Sequence, residues 1–263
     1  MGRGPLRVAI VMAVLTPWAY VTASPVDAAT LAAVRERGAL HVCAHPDALP
    51  YSSQDPALPG FQLELARAIA QRLGVKLQVD WIVFTRHARR MDCDATMGSI
   101  VRLDEEGPGR GPRLTRPYVG TGYVLVVPIR SSIRRLEDVG RGKIGVEHAS
   151  WPHYMLDTRH VAVASFGSAW DILTAVGKNE VPAGLVSEAY AGWYGKLSPG
   201  LIKVPEGYAP ERELQWNVAV ALRNADGAIV EAVNQALDDL LADGTVAGIF
   251  GRYGVPHRPP FSR

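Results

Sequence analysis

The sequence predicts a two-lobed α/β protein in which each lobe is a mostly parallel sheet flanked by helices and two strands form a hinge. Two β-α-β series carry this prediction, one within residues 40–100 and one within residues 123–186, because such series fold into parallel sheets with right-handed crossovers. A third observation is that a late strand, Asn217–Leu222, and the helices after it have no sheet of their own. They are expected to return to the first sheet, so that the chain crosses twice between the lobes. The predicted lobes are residues 29–120 with 217–263, and residues 121–216.

The elements of the first lobe follow from apolar spacing and from end signals. Thr30 is a candidate cap for a short helix that Gly38 ends. A second helix repeats apolar residues every four positions from Phe61. In chain order we predict a helix over Thr30–Arg37, a strand over Leu40–Ala44, a helix over Gly60–Leu73, a strand over Val75–Trp81, a short helix over Phe84–Met91 and a strand over Asp94–Ile100. The glycines and prolines within residues 101–117 exclude a regular helix, so this stretch is either a lid or a surface loop.

The second lobe and the return to the first lobe alternate strands with helices. Asp226 is a candidate N-cap of a long amphipathic helix, and Gly244 follows its end. The tail from His257 is expected to be frayed. In chain order we predict a strand over Tyr123–Pro128, a helical turn over Leu136–Val139, a strand over Lys143–Val146, a helix from Trp151, a strand over Val161–Ala164, a helix over Ala169–Val176, a strand over Val181–Val186, the returning strand Asn217–Leu222, and a last helix from Thr245 to Tyr253.

The N-terminus is typical of a targeting segment. Arg3 and Arg7 precede an apolar run over residues 8–21, and small residues follow it. Cleavage is predicted before Ser24 or before Ala29, so residues 1–28 are a removed signal peptide. The apolar run is short for a membrane span. The mature protein is therefore expected in a periplasm.

Composition excludes several classes of function. The chain has 263 residues, of which 48% are hydrophobic and 21% charged, a balance that suits one large core or two smaller ones. The formal net charge is +2 without a clustered basic face, so nucleic acid is not an expected partner. The sequence contains no Gly-rich phosphate loop, no G-x-S-x-G motif and no H-E-x-x-H motif. We therefore expect a monomeric protein that is not an enzyme and has no cofactor or metal.

The chain has two cysteines, which would meet an oxidising compartment after export. Cys43 ends the first predicted strand, and Cys93 precedes the strand that begins at Asp94. A disulfide requires these two strands to be neighbours with the cysteines at similar heights. The pair is either bridged or consists of two buried thiols.

Several motifs, in their order, resemble family-3 periplasmic solute-binding proteins. They are Arg35-Glu36-Arg37-Gly38 with Leu40-His41-Val42, then Pro50-Tyr51, Gly60-Phe61 before a helix, Asp94 opening a strand, and the ending Ala242-Asp243-Gly244-Thr245 with Tyr253-Gly254. The resemblance covers essentially the whole mature chain. It implies two lobes, a two-strand hinge and a ligand enclosed between the lobes.

The residues by which amino-acid binders of that family hold their ligand are altered here. The family's carboxylate-binding Arg falls on Glu106, with Arg102 nearby. Its ammonium-binding Asp falls on Ser187, and the Asp of its first loop falls on His45. A buried carboxylate without a cationic partner is costly because its hydration is not replaced. The resemblance therefore implies a ligand other than a standard amino acid.

A narrower resemblance is to the binding-protein-like partners of quinoprotein dehydrogenases, the MoxJ/XoxJ type. It rests on Val42-Cys43-Ala44, on Cys93-Asp94 running into Met97-Gly98, and on Tyr253-Gly254-Val255-Pro256. Ser99 and His45 depart from that type. This resemblance implies an accessory role beside a quinoprotein (methanol or alcohol) dehydrogenase or its cytochrome. The alternative is the substrate-binding component of an ABC importer, whose partner is a permease and whose ligand is a small polar solute.

The candidate ligand-binding residues lie where strands end, because loops at the carboxyl ends of parallel strands meet at one crevice. Among these residues, hydroxyl groups can form hydrogen bonds with a ligand, aromatic rings can form walls of the cleft, and charged groups can bind ions. The candidates are His45, Tyr51, Ser99, Arg102, Ser150, Trp151, Ser187, Glu188 and Trp216.

Overall fold

The computed structural model describes residues 29–83, 91, 93–103 and 111–262. The predicted signal peptide and most of the predicted helix Phe84–Met91 lie outside these residues. The fold is the predicted two-lobed α/β architecture. Within the described residues the elements are α1 Leu31–Arg37, β1 Ala39–Ala44, β2 Asp47–Ala48, β3 Ser52–Ser53, α2 Phe61–Arg72, β4 Lys76–Trp81, β5 Ala95–Arg102, β6 Arg113–Leu114, β7 Val119–Pro128, β8 Ile144–Glu147, α3 Trp151–Thr158, β9 Val163–Phe166, α4 Ala169–Gly177, β10 Ala183–Ser187, α5 Glu188–Leu197, β11 Ile202–Lys203, β12 Gln215–Leu222, α6 Gly227–Ala242 and α7 Thr245–Arg252, with short 3-10 turns at Leu136–Val139 and Arg212–Leu214.

The sheet of the first lobe has the strand order β4-β1-β5-β12. The strand β1 runs parallel to β4 and β5, whereas β12 is antiparallel to β5. The helices α2, α6 and α7 pack on this sheet through a buried cluster that includes Leu65, Ile69, Leu237 and Phe250. The helices that follow β12 thus complete the first lobe. This was predicted because the sequence offers these helices no sheet of their own.

The sheet of the second lobe has the order β7-β10-β8-β9, in which only β7 is antiparallel to its neighbour. Both faces of this sheet are covered. Val124 and Val126 face a cluster with α4 and α5, while Leu125 and Val127 face a cluster with α3. Burial on both faces explains why these strands read as continuous apolar runs rather than alternating patterns.

The hinge consists of β7 and β12, which pair with each other antiparallel. The first half of β7, from Val119 to Gly122, pairs with β12, and the second half pairs with β10. The strand is longer than predicted because Gly120, Thr121 and Gly122 do not have a strand-like pattern. A Cβ at Gly122 would lie 2.5 Å from the carbonyl oxygen of Leu214, so the close approach of the two strands requires glycine there. The exact lobe boundaries remain a prediction.

The C-terminal tail is ordered by hydrogen bonds across the hinge, and the expectation of a frayed end was wrong. The Asn217 side chain donates to the carbonyl of Phe261 at 2.9 Å and accepts from its amide at 2.8 Å. The amide of Gly120 donates to the carbonyl of Arg258 at 3.1 Å. A Cβ at Gly120 would lie 2.7 Å from the carbonyl oxygen of Pro259. The tail therefore packs against both hinge strands.

The cysteines are joined: Cys43 and Cys93 form a disulfide with Cα atoms 5.5 Å apart. The adjacent residue Asp94 is buried and accepts a hydrogen bond from the amide of His41 at 2.8 Å, and it pairs with Arg37. These contacts fasten the start of β5 to β1 and to the end of α1. Among the described residues, no helix is long and apolar enough to cross a membrane.

Candidate functional site

The two lobes touch directly through Tyr51 and Ser187. Tyr51 follows the first strand in the first lobe, and Ser187 ends β10 in the second. Their hydroxyl groups are hydrogen-bonded at 2.9 Å, and the Tyr51 ring packs edge-on against Tyr190 with centroids 5.5 Å apart. Burial raises the pKa of Tyr51 well above its usual range, so this contact is neutral at physiological pH. Two candidate ligand-binding residues thus bind each other.

Glu188, the first residue of α5, is paired with the C-terminal tail. Glu188 is 6% exposed, and one of its carboxylate oxygens accepts hydrogen bonds from Nε and Nη2 of Arg258 at 2.9 and 2.7 Å. A buried carboxylate requires such a partner because its desolvation is costly. The same helix contacts the tail at Gly192, where a Cβ would lie 2.2 Å from the carbonyl oxygen of Gly254. Glu188 therefore ties the second lobe to the end of the chain.

A cavity of about 360 Å³ opens between the lobes at the end of β5. We refer to it as the tryptophan cavity. Apolar and aromatic side chains form most of its wall, and two arginines also line it. Its lining residues are Ile100, Arg102, Leu103, Tyr123, Trp151, Arg212, Glu213, Gln215 and Trp216.

The aromatic walls of this cavity are fixed by specific contacts. The indole Nε1 of Trp151 donates to the carbonyl of Glu213 at 3.0 Å. Trp216 packs edge-on against Tyr123 with ring centroids 5.1 Å apart. The guanidinium carbon of Arg102 lies 6.0 Å from the centroid of the Trp151 ring, at the outer limit of a cation–π contact.

An ion-pair cluster behind Trp151 anchors the helix that carries it. Arg159, which follows α3, donates to both carboxylate oxygens of Glu211 at 2.7 and 2.6 Å and also pairs with Glu213. The hydrogen bond from Arg159 lowers the pKa of Glu211. The cluster therefore holds α3 against the turn before β12, and the two together form one wall of the cavity.

A second cavity, of about 320 Å³, lies on the first-lobe side of Trp216. Its wall includes Tyr51, Gln62 and Gly98, while Ile100 and Trp216 line both cavities. Side chains alternate along a strand, so Gly98, Ile100 and Arg102 share one face of β5. This face of β5 forms the floor of the cleft.

The remaining candidates have local roles or lie elsewhere. The His45 ring accepts from the amide of Asp47 at 3.0 Å and orders the turn after β1. Ser150 caps α3 by accepting from the amide of His153 at 3.3 Å. Ser99 lies on β5 between two cavity residues, and neither cavity includes it among its described lining. Glu106, at the family's carboxylate-binding position, lies outside the described residues.

The structure brings Arg102, Trp151 and Trp216 together in one cavity and adds residues that the sequence argument missed. These are Tyr123, Arg212 and Gln215. Only their positions in the sequence could have indicated them. Tyr123 follows the hinge glycines, Arg212 precedes β12, and Gln215 is the first residue of β12. The hinge segments form walls of the cavity because β7 and β12 pair directly beneath it.

The family model of the bacterial extracellular solute-binding proteins, family 3, matches residues 40–256. The chain belongs to this family. No curated protein sequence matches this solute-binding protein.

Solved structures similar to this solute-binding protein include several amino-acid binders. An ancestral cationic amino acid solute-binding protein is 21% identical with a TM-score of 0.70, over 85% of this chain and 99% of its own. The L-cystine solute receptor of Neisseria gonorrhoeae, in an unliganded open conformation, is 20% identical with a TM-score of 0.70, over 86% and 97%. An ancestral arginine-binding protein bound to arginine is 25% identical with a TM-score of 0.58, over 82% and 98%. The first two likenesses establish the fold alone.

Proposed function

We propose that this solute-binding protein is a periplasmic, non-enzymatic accessory of a quinoprotein dehydrogenase. One observation carries the proposal: Ser187, the position to which the resemblance assigns the family's ammonium-binding Asp, is hydrogen-bonded to Tyr51. A neutral hydroxyl pair offers no carboxylate to a cation, and Glu188 is already paired with Arg258. The sequence resemblance at the two cysteine motifs supports the choice of a dehydrogenase as partner.

The cleft still offers a surface to a protein partner. Trp151 is 40% exposed at the mouth of the tryptophan cavity, and Trp216 forms the deeper wall. Partly exposed tryptophan is a common anchor in protein interfaces. Tyr51 is already engaged with Ser187, so the two tryptophans are the anchors that remain.

A pull-down with the mature protein as bait, from periplasm combined with detergent-solubilised membranes, tests this role. We expect the dehydrogenase or its cytochrome to be captured and identified by mass spectrometry, and Trp151→Ala to reduce capture. Trp170→Ala is the matched control, because Trp170 is 42% exposed on α4 and outside the cavity. Recovery of a transporter permease instead of a dehydrogenase contradicts the proposal.

A second function is favoured by the size of the cavities. Volumes of about 360 and 320 Å³ fall at the lower end of small-molecule sites. One similar structure bears the description of a second substrate binding domain, assigned to an amino acid ABC transporter of Streptococcus pneumoniae. On this reading the protein delivers a small polar solute, other than a standard amino acid, to an ABC permease. Calorimetry with the common amino acids tests the altered ligand clamp that both readings share, because low-micromolar binding of any of them excludes both. The partner captured in the pull-down separates the two readings.

A further inference from the structure

The described lining of the tryptophan cavity combines an apolar wall with arginine side chains. Arg102 and Arg212 both belong to it, and the one acidic residue among the described lining residues is Glu213. The Glu213 carboxylate is paired with Arg159, and its carbonyl accepts from the Trp151 indole. The Glu213 carboxylate is therefore largely neutralised by Arg159, a residue outside the described cavity lining.

Arg212 is positioned to exchange a weak hydrogen bond within the protein for a bond to a ligand carboxylate. It precedes β12 and reaches across the cleft to the first lobe, where Nη2 donates to the carbonyl of Leu103 at 3.4 Å. This distance is at the long limit of a hydrogen bond, so the contact is weak. No ion pair of Arg212 occurs within the part of the chain that the structure describes. A carboxylate offers the same guanidinium shorter, charge-assisted and two-pronged bonds.

We infer that the tryptophan cavity binds an organic carboxylate with an aromatic body, the carboxylate on Arg212 and the ring against Trp151 and Trp216. Aromatic rings pack edge-on or offset against indoles, and the Trp216 ring is already held in place by Tyr123. The guanidinium carbon of Arg102 lies 6.0 Å from the centroid of the Trp151 ring, so Arg102 borders the ring side of the site. The volume of about 360 Å³ accommodates one ring with a short acidic arm.

This site differs from a zwitterion clamp because the one carboxylate in its described lining, Glu213, is already paired with Arg159. An acid without an amino group is therefore expected to bind better than an amino acid. The inference does not depend on whether the protein serves a dehydrogenase or a permease. Ligand binding and partner capture are separate measurements, so either can fail alone.

The test is calorimetry of the mature protein with indole-3-acetate and phenylacetate. Phenylethanol is the uncharged match, acetate lacks the ring, and phenylalanine adds the ammonium group. We expect the two aryl acids to bind and phenylacetate, which has no indole, also to change the tryptophan fluorescence of the protein. The three comparison compounds should bind at least about tenfold more weakly, a difference of about 1.4 kcal/mol.

Variants assign the binding to Arg212. Arg212→Gln is expected to weaken binding of the aryl acids at least about tenfold, and Arg212→Lys to restore part of it. Arg130→Gln is the control, because Arg130 is exposed on a turn outside the cavity. Thermal denaturation establishes that each variant is folded. The inference is overturned if neither aryl acid binds, if phenylethanol binds as tightly, or if folded Arg212→Gln binds as the wild type does.

Discussion

At the residue scale, two neighbours in the chain have different partners because their chemistry differs. Ser187 can donate and accept, so it satisfies the buried Tyr51 hydroxyl without any charge. Glu188 carries a charge that cannot remain buried alone, and Arg258 supplies the cation. Both residues were predicted at the end of a strand in the cleft. Sequence alone did not indicate that each contacts another part of the same chain.

Removing the Tyr51 hydroxyl should weaken the contact between the lobes. In Tyr51→Phe the ring contacts with Phe61 and Tyr190 are kept, while Ser187 loses its partner. We expect a loss of about 1 kcal/mol in the free energy of unfolding, measured by urea denaturation. Tyr154→Phe is the control because Tyr154 is 62% exposed. An unchanged stability of Tyr51→Phe relative to this control would show that the hydrogen bond contributes nothing.

At the element scale, the helix α3 and the turn before β12 form one wall of the cleft. Arg159 fastens them by its bonds to Glu211 and its pairing with Glu213, and Trp151 adds a bond to the same turn. The position of Trp151 therefore depends on Arg159. No helical spacing in the sequence predicts such a contact between residues more than 50 positions apart.

Substitution of Arg159 should lower stability in a pH-dependent way. The pKa of Glu211 is lowered below its ordinary 4.5 by the bond from Arg159. Its contribution to stability is therefore present above pH 4.5 and is lost as the pH falls through the lower folded pKa. The side chains of Arg159 and Glu211 are about two-fifths exposed. Arg159→Ala should therefore lower the free energy of unfolding by at most about 1 kcal/mol at pH 7. Urea denaturation at pH 7 and pH 3 should show the difference from wild type shrink at pH 3, whereas Arg130→Ala should show none at either pH.

Elements with strong local signals were predicted well, and those fixed by distant contacts were not. Thr30 and Asp226 cap their helices as expected, with side chains that accept from the amides of Ala33 and Ile229. The helix α5, Glu188–Leu197, was missed because Gly192 and Gly195 weaken its helical pattern. Its stability comes from packing: Ala189 and Trp193 contribute to the core of the first lobe. Tertiary contacts override the weak local preference in this helix.

At the scale of the whole molecule, covalent and noncovalent links restrict how the parts separate. The disulfide joins β1 to the residue before β5. The tail joins the hinge to α5. The Tyr51–Ser187 contact joins the two lobes at the cleft. The lobes are therefore held together on the side of α5, and the tryptophan cavity lies in the cleft at the end of β5.

Loss of the disulfide should destabilise the first lobe. The bridge closes a loop with a sequence separation of 50, and chain entropy predicts a contribution of about 4 kcal/mol for a loop of that length. We expect the double variant Cys43→Ala, Cys93→Ala to unfold at a markedly lower urea concentration than the wild type. Reduction of the wild type should reproduce the effect, and reductant should leave the double variant unchanged. A loss below about 1 kcal/mol would contradict the entropic account.

Truncation after Pro256 should loosen the hinge. It removes the hydrogen bonds to Gly120 and Asn217 and leaves the Glu188 carboxylate buried without Arg258. The three hydrogen bonds to Gly120 and Asn217 contribute about 1 kcal/mol each, and the unpaired Glu188 carboxylate adds to the cost, so we expect a loss of at least about 3 kcal/mol in the free energy of unfolding. Hydrogen exchange should become faster at the amides of Gly120 and at neighbouring positions of β7 and β12, and small-angle scattering should report a larger radius of gyration. Arg258→Ala should reproduce the loss in part, since it keeps the backbone bonds, and Arg130→Ala should not. If the truncated protein exchanges at the wild-type rate along both hinge strands, the tail is a passive end of the chain and the interlobe geometry is set by β7, β12 and α5 alone.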